Sequence, residues 1–268
     1  MVEGLFVDME NESEVAASLT ESAPTSCIGP RLNSLNDHFP EGERIFREHR
    51  RKQQEYFEKH GKFKKAPLEL VKSLVTKVLP RVFLDISCGG EPLGRIIIVL
   101  YRDLAPKAVE NFRSFCTGEK GLGSSGKPLH YKGCHFTRII PEFFCQAGDA
   151  TIGNGMGGET IYGCPMEDEI TPGRRLVRGD LVTATPGPHA ATSQFCILFG
   201  DLPWMEGKAT IIGHVENGFK TLSVLEKLGS QNGIPFAPVT VIHSGQMMLS
   251  RDLQSWVPVE PSNFPGVH

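Results

Sequence analysis

The sequence predicts a mainly β domain, a closed barrel with two helices covering its ends. Three observations carry this. Short β-rich runs recur along residues 81–246, Gly and Pro punctuate them, and only two helical patterns interrupt them.

The elements follow in order. VFLDI at 82–86 and RIIIVLY at 95–101 read as two strands around a Gly89-Gly90 turn. PKAVENFRSFC at 106–116 opens on a proline and sets Val109, Phe112 and Phe115 on one helical face. The runs GCHFTRII, FFCQAGDAT, GDLVTAT, QFCILFG and ATIIGHV follow as strand segments. GFKTLSVLEKLG places Leu222, Leu225 and Leu228 at a three-residue step, with Gly229 as a stop. VTVIHSG supplies the last strand.

The rest of the 268-residue chain divides by charge. Residues 1–40 carry seven acidic side chains and one basic one, Arg31, with few aromatics. Such a segment buries too little apolar surface to offset its ordering entropy, so disorder is expected there. Residues 41–80 are expected to form a charged, amphipathic helical extension. Within 41–65, nine Lys or Arg face five Glu, and the stretch lacks Pro. A solvated helix is one reading and a docking helix for a protein partner, spanning 41–79, is the other. Leu68, Val71, Leu74, Val75 and Val78 give 67–79 a second helical period, bounded by Pro67 and Pro80. The tail 247–268 reads as extended coil.

Composition excludes several classes. A net charge of −3 gives no reason to expect nucleic acid, and the acidic residues interleaved through 44–65 weaken an RNA reading. The longest apolar run, Ile96 to Tyr101, is six residues, whereas a membrane span needs roughly 20, so no membrane partner is expected. The first fifteen residues lack a basic region followed by an apolar one, so cytosol is the expected location, with the nucleus left open. Seven scattered cysteines form no CxxC pair, and free, mostly buried thiols are the simplest reading. Gly153 to Gly158 fits GxGxxG formally, but Gly163 and Pro165 break the helix that phosphate binding would need. Glu167-Asp168-Glu169 reads as a charged surface turn rather than a metal site.

FTRIIPEFFCQAGDAT at 136–151 resembles the signature of the cyclophilin family, an aromatic and His before Arg-Ile-Ile-Pro, then Phe, then Cys-Gln-Gly-Gly-Asp. DISCGGEPLGRIIIVLYRDLAPKAVENFRSFCTGEKG is similar to the family's first two strands and first helix. GMGGETIYG, MEDE, SQF, the Trp204 to Lys208 segment and the closing SGQ come in the family's order, so the resemblance covers about 165 residues. It implies an eight-stranded antiparallel barrel capped by two α-helices, and peptidyl-prolyl cis–trans isomerisation of proline-containing protein segments, without cofactor or metal. It implies Arg138 as the catalytic arginine and Gln146 as the glutamine that orients it and the peptide. Phe143 corresponds to the wall of the proline pocket, Gln194 to a second binding glutamine and Trp204 to the pocket rim. Gly155 and Ala184 correspond to backbone positions of the groove. GKPLHYK at 126–132 resembles the divergent-loop subgroup, some of whose members pair a cysteine at the Cys116 position with one near the C-terminal GQ; Ser244 stands at that second position.

The departures gather in the same pocket. Cys196 stands where the family has a second phenylalanine. Thr185-Pro186 replaces Asn-Ala, and Ala209 follows Lys208 in place of histidine. Phe144 replaces methionine, Met205 leucine, and Thr137 the signature histidine. Losing a ring from an apolar pocket costs affinity unless a neighbour refills it, and Phe144 is the candidate for that. The expectation is a weakened isomerase with reduced affinity for proline peptides and for cyclosporin, the family's inhibitor. The competing reading is a non-catalytic proline-peptide-binding or scaffold module that docks partners through its N-terminal helices.

Overall fold

The computed structural model describes residues 41–63, 78–249 and 255–259. The expected helix over 67–79 falls almost wholly outside them, as do residues 1–40.

Two compact units divide the chain, the larger comprising Leu79–Met248 and Pro258–His268. Its strands are β1 (Arg81–Cys88), β2 (Glu91–Leu100), β3 (Arg138–Ile140), β4 (Phe144–Ala147), β5 (Asp180–Thr183), β6 (Phe195–Leu198), β7 (Ile211–Asn217) and β8 (Val239–Leu249). They hydrogen-bond in the order β3-β4-β6-β5-β7-β2-β1-β8, every neighbouring pair antiparallel. β3 and β8 are not ladder neighbours. The seam between them is bridged by the residues just before β3: Gly133 N donates to Val241 O at 2.7 Å, Val241 N to Cys134 O at 2.9 Å, and Phe136 N to Val239 O at 2.9 Å.

β2 begins at Glu91, five residues before its apolar run opens at Ile96. The register shifts there: Ile86 pairs with Gly94 and Ser87 with Pro92, so Leu93 is the extra residue of a bulge in β2 itself. β8 likewise continues past the VTVIHSG run, which ends at Gly245, and past the expected domain end at 246, to Leu249, and a further short strand, β9, covers Trp256–Pro258.

The barrel interior is one apolar cluster. Val82, Leu84 and Ile86 of β1 and Ile96, Ile98 and Leu100 of β2 meet Val109, Phe112 and Phe115 from one helix and Leu222 and Leu225 from another. Tyr131 is its aromatic hub, with ring centroids 5.0 Å from Phe112, 5.2 Å from Phe115 and 5.1 Å from Phe195. Its hydroxyl donates to Ser193 O at 2.7 Å, which lets a polar tip lie buried. Each such ring contributes about 1.5–3 kcal/mol by leaving water.

The smaller unit holds α1 (Glu41–His60), a helix with Phe46 edge-on to Trp256 at 5.9 Å and i,i+4 pairs Lys52–Glu48 and Arg51–Glu55 along its exposed side. The larger unit's helices are α2 (Pro106–Thr117) and α3 (Phe219–Lys227). Pro106 opens α2 and Gly118, at φ 70°, closes it, its N–H donating to Ser114 O. The first turn of α2 is capped from far along the chain: Ala108 N donates to Glu169 Oε2 at 2.9 Å and Lys107 N to Glu169 Oε1 at 3.3 Å. Glu169 therefore offsets the positive end of α2, a structural duty that the acidic triplet did not announce.

Candidate functional site

Strand periodicity builds the site. Residues directly opposite in antiparallel strands share a face, and neighbours along a strand alternate. Arg138 lies opposite Gln146, Gln146 opposite Cys196, and Cys196 opposite Val182, so one row crosses β3, β4, β6 and β5. The alternate residues Ile139, Cys145, Ile197 and Leu181 belong to the barrel core. The row therefore lies on the outer face. Two residues along, Ile140, Phe144 and Leu198 form a second row on that face.

This outer face is apolar at its floor. Val182, Cys196 and Leu198 are buried, yet none belongs to the barrel core cluster. Phe144 is half-buried and diagonal to Cys196, which puts its ring on the face where the family's second phenylalanine is missing. Burial pushes the Cys196 thiol up to about 12, against the opposing pull of the Arg138 charge. That pull marks the guanidinium as an electrostatic neighbour of the floor.

Arg138 itself is exposed at its strand, and among the described residues it has no hydrogen-bond or ion-pair partner. Its neighbours Gln146 and Gln194 are hydrogen-bonded to each other. Gln146 Nε2 donates to Gln194 Oε1 at 2.7 Å, and Gln194 Nε2 donates to Gly155 O at 3.0 Å and Gly157 O at 2.7 Å. Ala184 N donates to Gln194 O at 2.9 Å, tying the groove position after β5 to the same residue.

The glycine loop that Gln194 grips is held from beneath by Asp149, which sequence reasoning passed over. Asp149 is 3% exposed. Its Oδ1 accepts from Thr151 N, Thr151 Oγ1 and Ile152 N at 3.0–3.1 Å. Its Oδ2 accepts from Asn154 N, Gly155 N and Gly157 N at 2.9–3.1 Å. The converging amides hold the carboxyl well below the usual carboxylate range despite its burial. Gly148 makes the approach possible: its φ is +94°, and a Cβ there would stand 2.6 Å from Ser193 O.

Phe143 sits in the turn joining β3 to β4, 40% exposed. The turn is fastened on both sides. Phe143 O accepts from Phe199 N at 2.9 Å, and Glu142 N donates to Glu226 Oε1 of α3 at 2.9 Å. Trp204, 55% exposed, and the half-buried Met205 occupy a separate 3-10 turn, Pro203–Met205. Among the described residues, neither a hydrogen bond nor a ring contact joins them to the Arg138 row. Thr185 is exposed, and its hydroxyl accepts from Gly187 N at 3.2 Å, shaping a local turn. Thr137, at the signature histidine's place, lies against Gly155 with its Oγ1 buried and unpartnered.

Ser244 Oγ donates to Cys116 O at 2.9 Å, so the two positions of the subgroup's cysteine pair are adjacent here, with a hydroxyl in place of the second thiol. Among the described residues, no helix is long and apolar enough to cross a membrane.

What the arrangement offers is an unneutralised guanidinium beside an apolar floor, flanked by amide side chains that are locked in place. A family model described as "Cyclophilin type peptidyl-prolyl cis-trans isomerase/CLD" matches residues 83–246, the span that builds the barrel and every residue of this row. The chain belongs to the cyclophilin-type peptidyl-prolyl cis–trans isomerase family.

Proposed function

We propose that the chain isomerises X–Pro bonds in flexible protein segments, with Arg138 as the catalytic group and a pocket that grips proline more weakly than a two-phenylalanine floor would. The observation that carries this is the Arg138 guanidinium, unpartnered and in one row with Gln146 and Cys196.

Rotation about the peptide bond meets a barrier of about 20 kcal/mol because conjugation is lost at the midpoint. The prolyl nitrogen then pyramidalises and gains a basic lone pair. A guanidinium placed over that nitrogen donates to it only in the twisted state, so it stabilises the transition state more than the planar ground state. Arg138 suits this role because, among the described residues, no carboxylate competes for its protons. Gln146, oriented by Gln194, offers its amide to the peptide carbonyl beside the proline. Phe143, Phe144, Cys196 and Met205 supply apolar surface for the pyrrolidine ring, with Trp204 at the rim. Gly155, Ala184 and Thr185 bring backbone groups to the groove. The whole step breaks no bond and transfers no group, so the side chains suffice.

The weakness follows from Cys196. A thiol fills less volume than a phenyl ring, and Phe144 restores only part of the lost apolar contact from its diagonal position. Proline peptides and cyclosporin should therefore bind less tightly than to a cyclophilin with both rings. Exchange NMR on an X–Pro peptide tests the proposal: catalysed interconversion supports it, and interconversion at the uncatalysed rate with the peptide bound would leave a proline-peptide-binding module instead.

A further inference from the structure

The loop between α3 and β8, Gly229–Pro238, runs along the free edge of β3. Ser230 N donates to Ile139 O at 3.1 Å, and Ile139 N donates to Gly233 O at 2.9 Å. The loop thus pairs with the strand that bears Arg138, on the side away from Gln146. At Gly233 a Cβ would stand 3.5 Å from Arg138 Nε and 3.3 Å from Ile140 Cγ1. The next residues display large apolar side chains to solvent: Ile234 is 66% exposed and Phe236 is 74% exposed.

Their backbone is fixed. Ile234 N donates to Asn232 Oδ1 at 3.1 Å, Ile234 O accepts from Ser230 Oγ at 2.6 Å, and Phe236 N donates to Leu228 O at 2.8 Å. Pro235 stands between the two and Pro238 follows, which removes further backbone freedom. Residues 229–238 contain no charged side chain. An exposed, rigid and uncharged apolar pair is suited to contact with another apolar group, since little ordering entropy remains to be lost on binding.

We propose that Ile234 and Phe236 form a specificity lip that takes a bulky apolar side chain flanking the proline of the substrate. The proposal rests on the assignment of Arg138 as the group over the rotating bond. A polypeptide seated there advances roughly 3.3 Å per residue, so a segment leaving the site toward the free edge of β3 meets this loop within a few residues. The occupant is therefore the same chain that carries the proline, and the absence of charge on the lip selects for Leu, Ile or Phe rather than for an ionic partner.

The test uses the full chain and three proline peptides: a minimal one with small flanks, and two longer ones alike except for Leu or Ser at the flanking positions. Turnover is read by exchange NMR and affinity by titration in the same samples. Wild type should favour the Leu-flanked peptide over the Ser-flanked one by about five- to tenfold in kcat/KM or in Kd. The I234S/F236S double variant should bring that ratio close to one. Both substitutions fall on exposed side chains, and the ratio is internal to each sample, so a change in active fraction cancels. A wild-type ratio near one, a ratio that survives in the double variant, or binding of neither long peptide overturns the lip. Failure to turn over the minimal peptide, with the Leu-to-Ser affinity ratio intact, would instead count against Arg138 as a catalyst and leave the lip standing.

Discussion

Gln146 and Gln194 meet side chain to side chain at 2.7 Å, and through that bond the strand opposite Arg138 is coupled to the glycine loop at Gly155 and Gly157. Gln194 is 9% exposed, so these are nearly dry hydrogen bonds, and breaking them leaves partners unsatisfied. Orientation of the substrate-facing amide and order in the loop are therefore one property.

A Gln194→Leu substitution should expose that coupling. It keeps the bulk and removes one acceptor and both donors, at a cost of about 1–3 kcal/mol. Amide exchange measured by mass spectrometry should quicken over residues 151–158, and isomerase kcat/KM should fall by about tenfold or more. Unchanged protection of the loop would show that Asp149 alone orders it.

Asp149 makes the protein sensitive to acid in a defined direction. Its carboxyl titrates below the usual carboxylate range in the folded state. The stabilisation is thus complete above the unfolded value, about 4, and is lost as pH falls through that value toward the folded one. Asp149→Asn should lower thermal stability at pH 7 by about 2–4 kcal/mol, because a charged acceptor of several backbone amides becomes neutral and half of it becomes a donor. The difference from wild type should shrink as pH is lowered below 4. A gap that stays constant with pH would contradict the charge-based account.

The thiols should sort by burial. Cys164 is exposed, while Cys116, Cys134, Cys145 and Cys196 are buried. Burial raises Cys134 and Cys196 to about 12 each. A raised folded value means that stability is full below the ordinary thiol range, about 8.5, and declines as pH climbs from there. Alkylation at pH 8 followed by peptide mapping should label Cys164 readily and the four buried thiols only after denaturation. Early labelling of Cys196 would mean that the floor of the outer face opens to solvent.

The sequence made some of this legible and hid the rest for physical reasons. Helix α2 was readable because Val109, Phe112 and Phe115 repeat at the helical period and Pro106 marks the start. β1 and the apolar part of β2 were readable as runs, but Pro92 and Gly94 concealed the start of β2, where the strand bulges at Leu93. β3, β4, β5 and β6 are only three or four residues long, too short for their ends to be read. Arg138, Gln146 and Gln194 were found through motif resemblance, because nothing in local composition says that β3, β4 and the residue just before β6 come together. Asp149 and Glu169 were missed because their partners are backbone amides, which leave no mark on the sequence. Phe144 was nominated as a substitute for the missing ring, and strand register does put it on the face of Cys196.

The most direct measurement is the interconversion rate of an X–Pro peptide, by exchange NMR, with wild type, R138A and R138K at matched peptide occupancy. Removing a preorganised donor to the developing charge should slow catalysis by about a hundredfold or more. Lysine should recover little of it, because one ammonium cannot reproduce the planar fork of a guanidinium. Rates in R138A equal to wild type would contradict the assignment of Arg138 and the mechanism built on it.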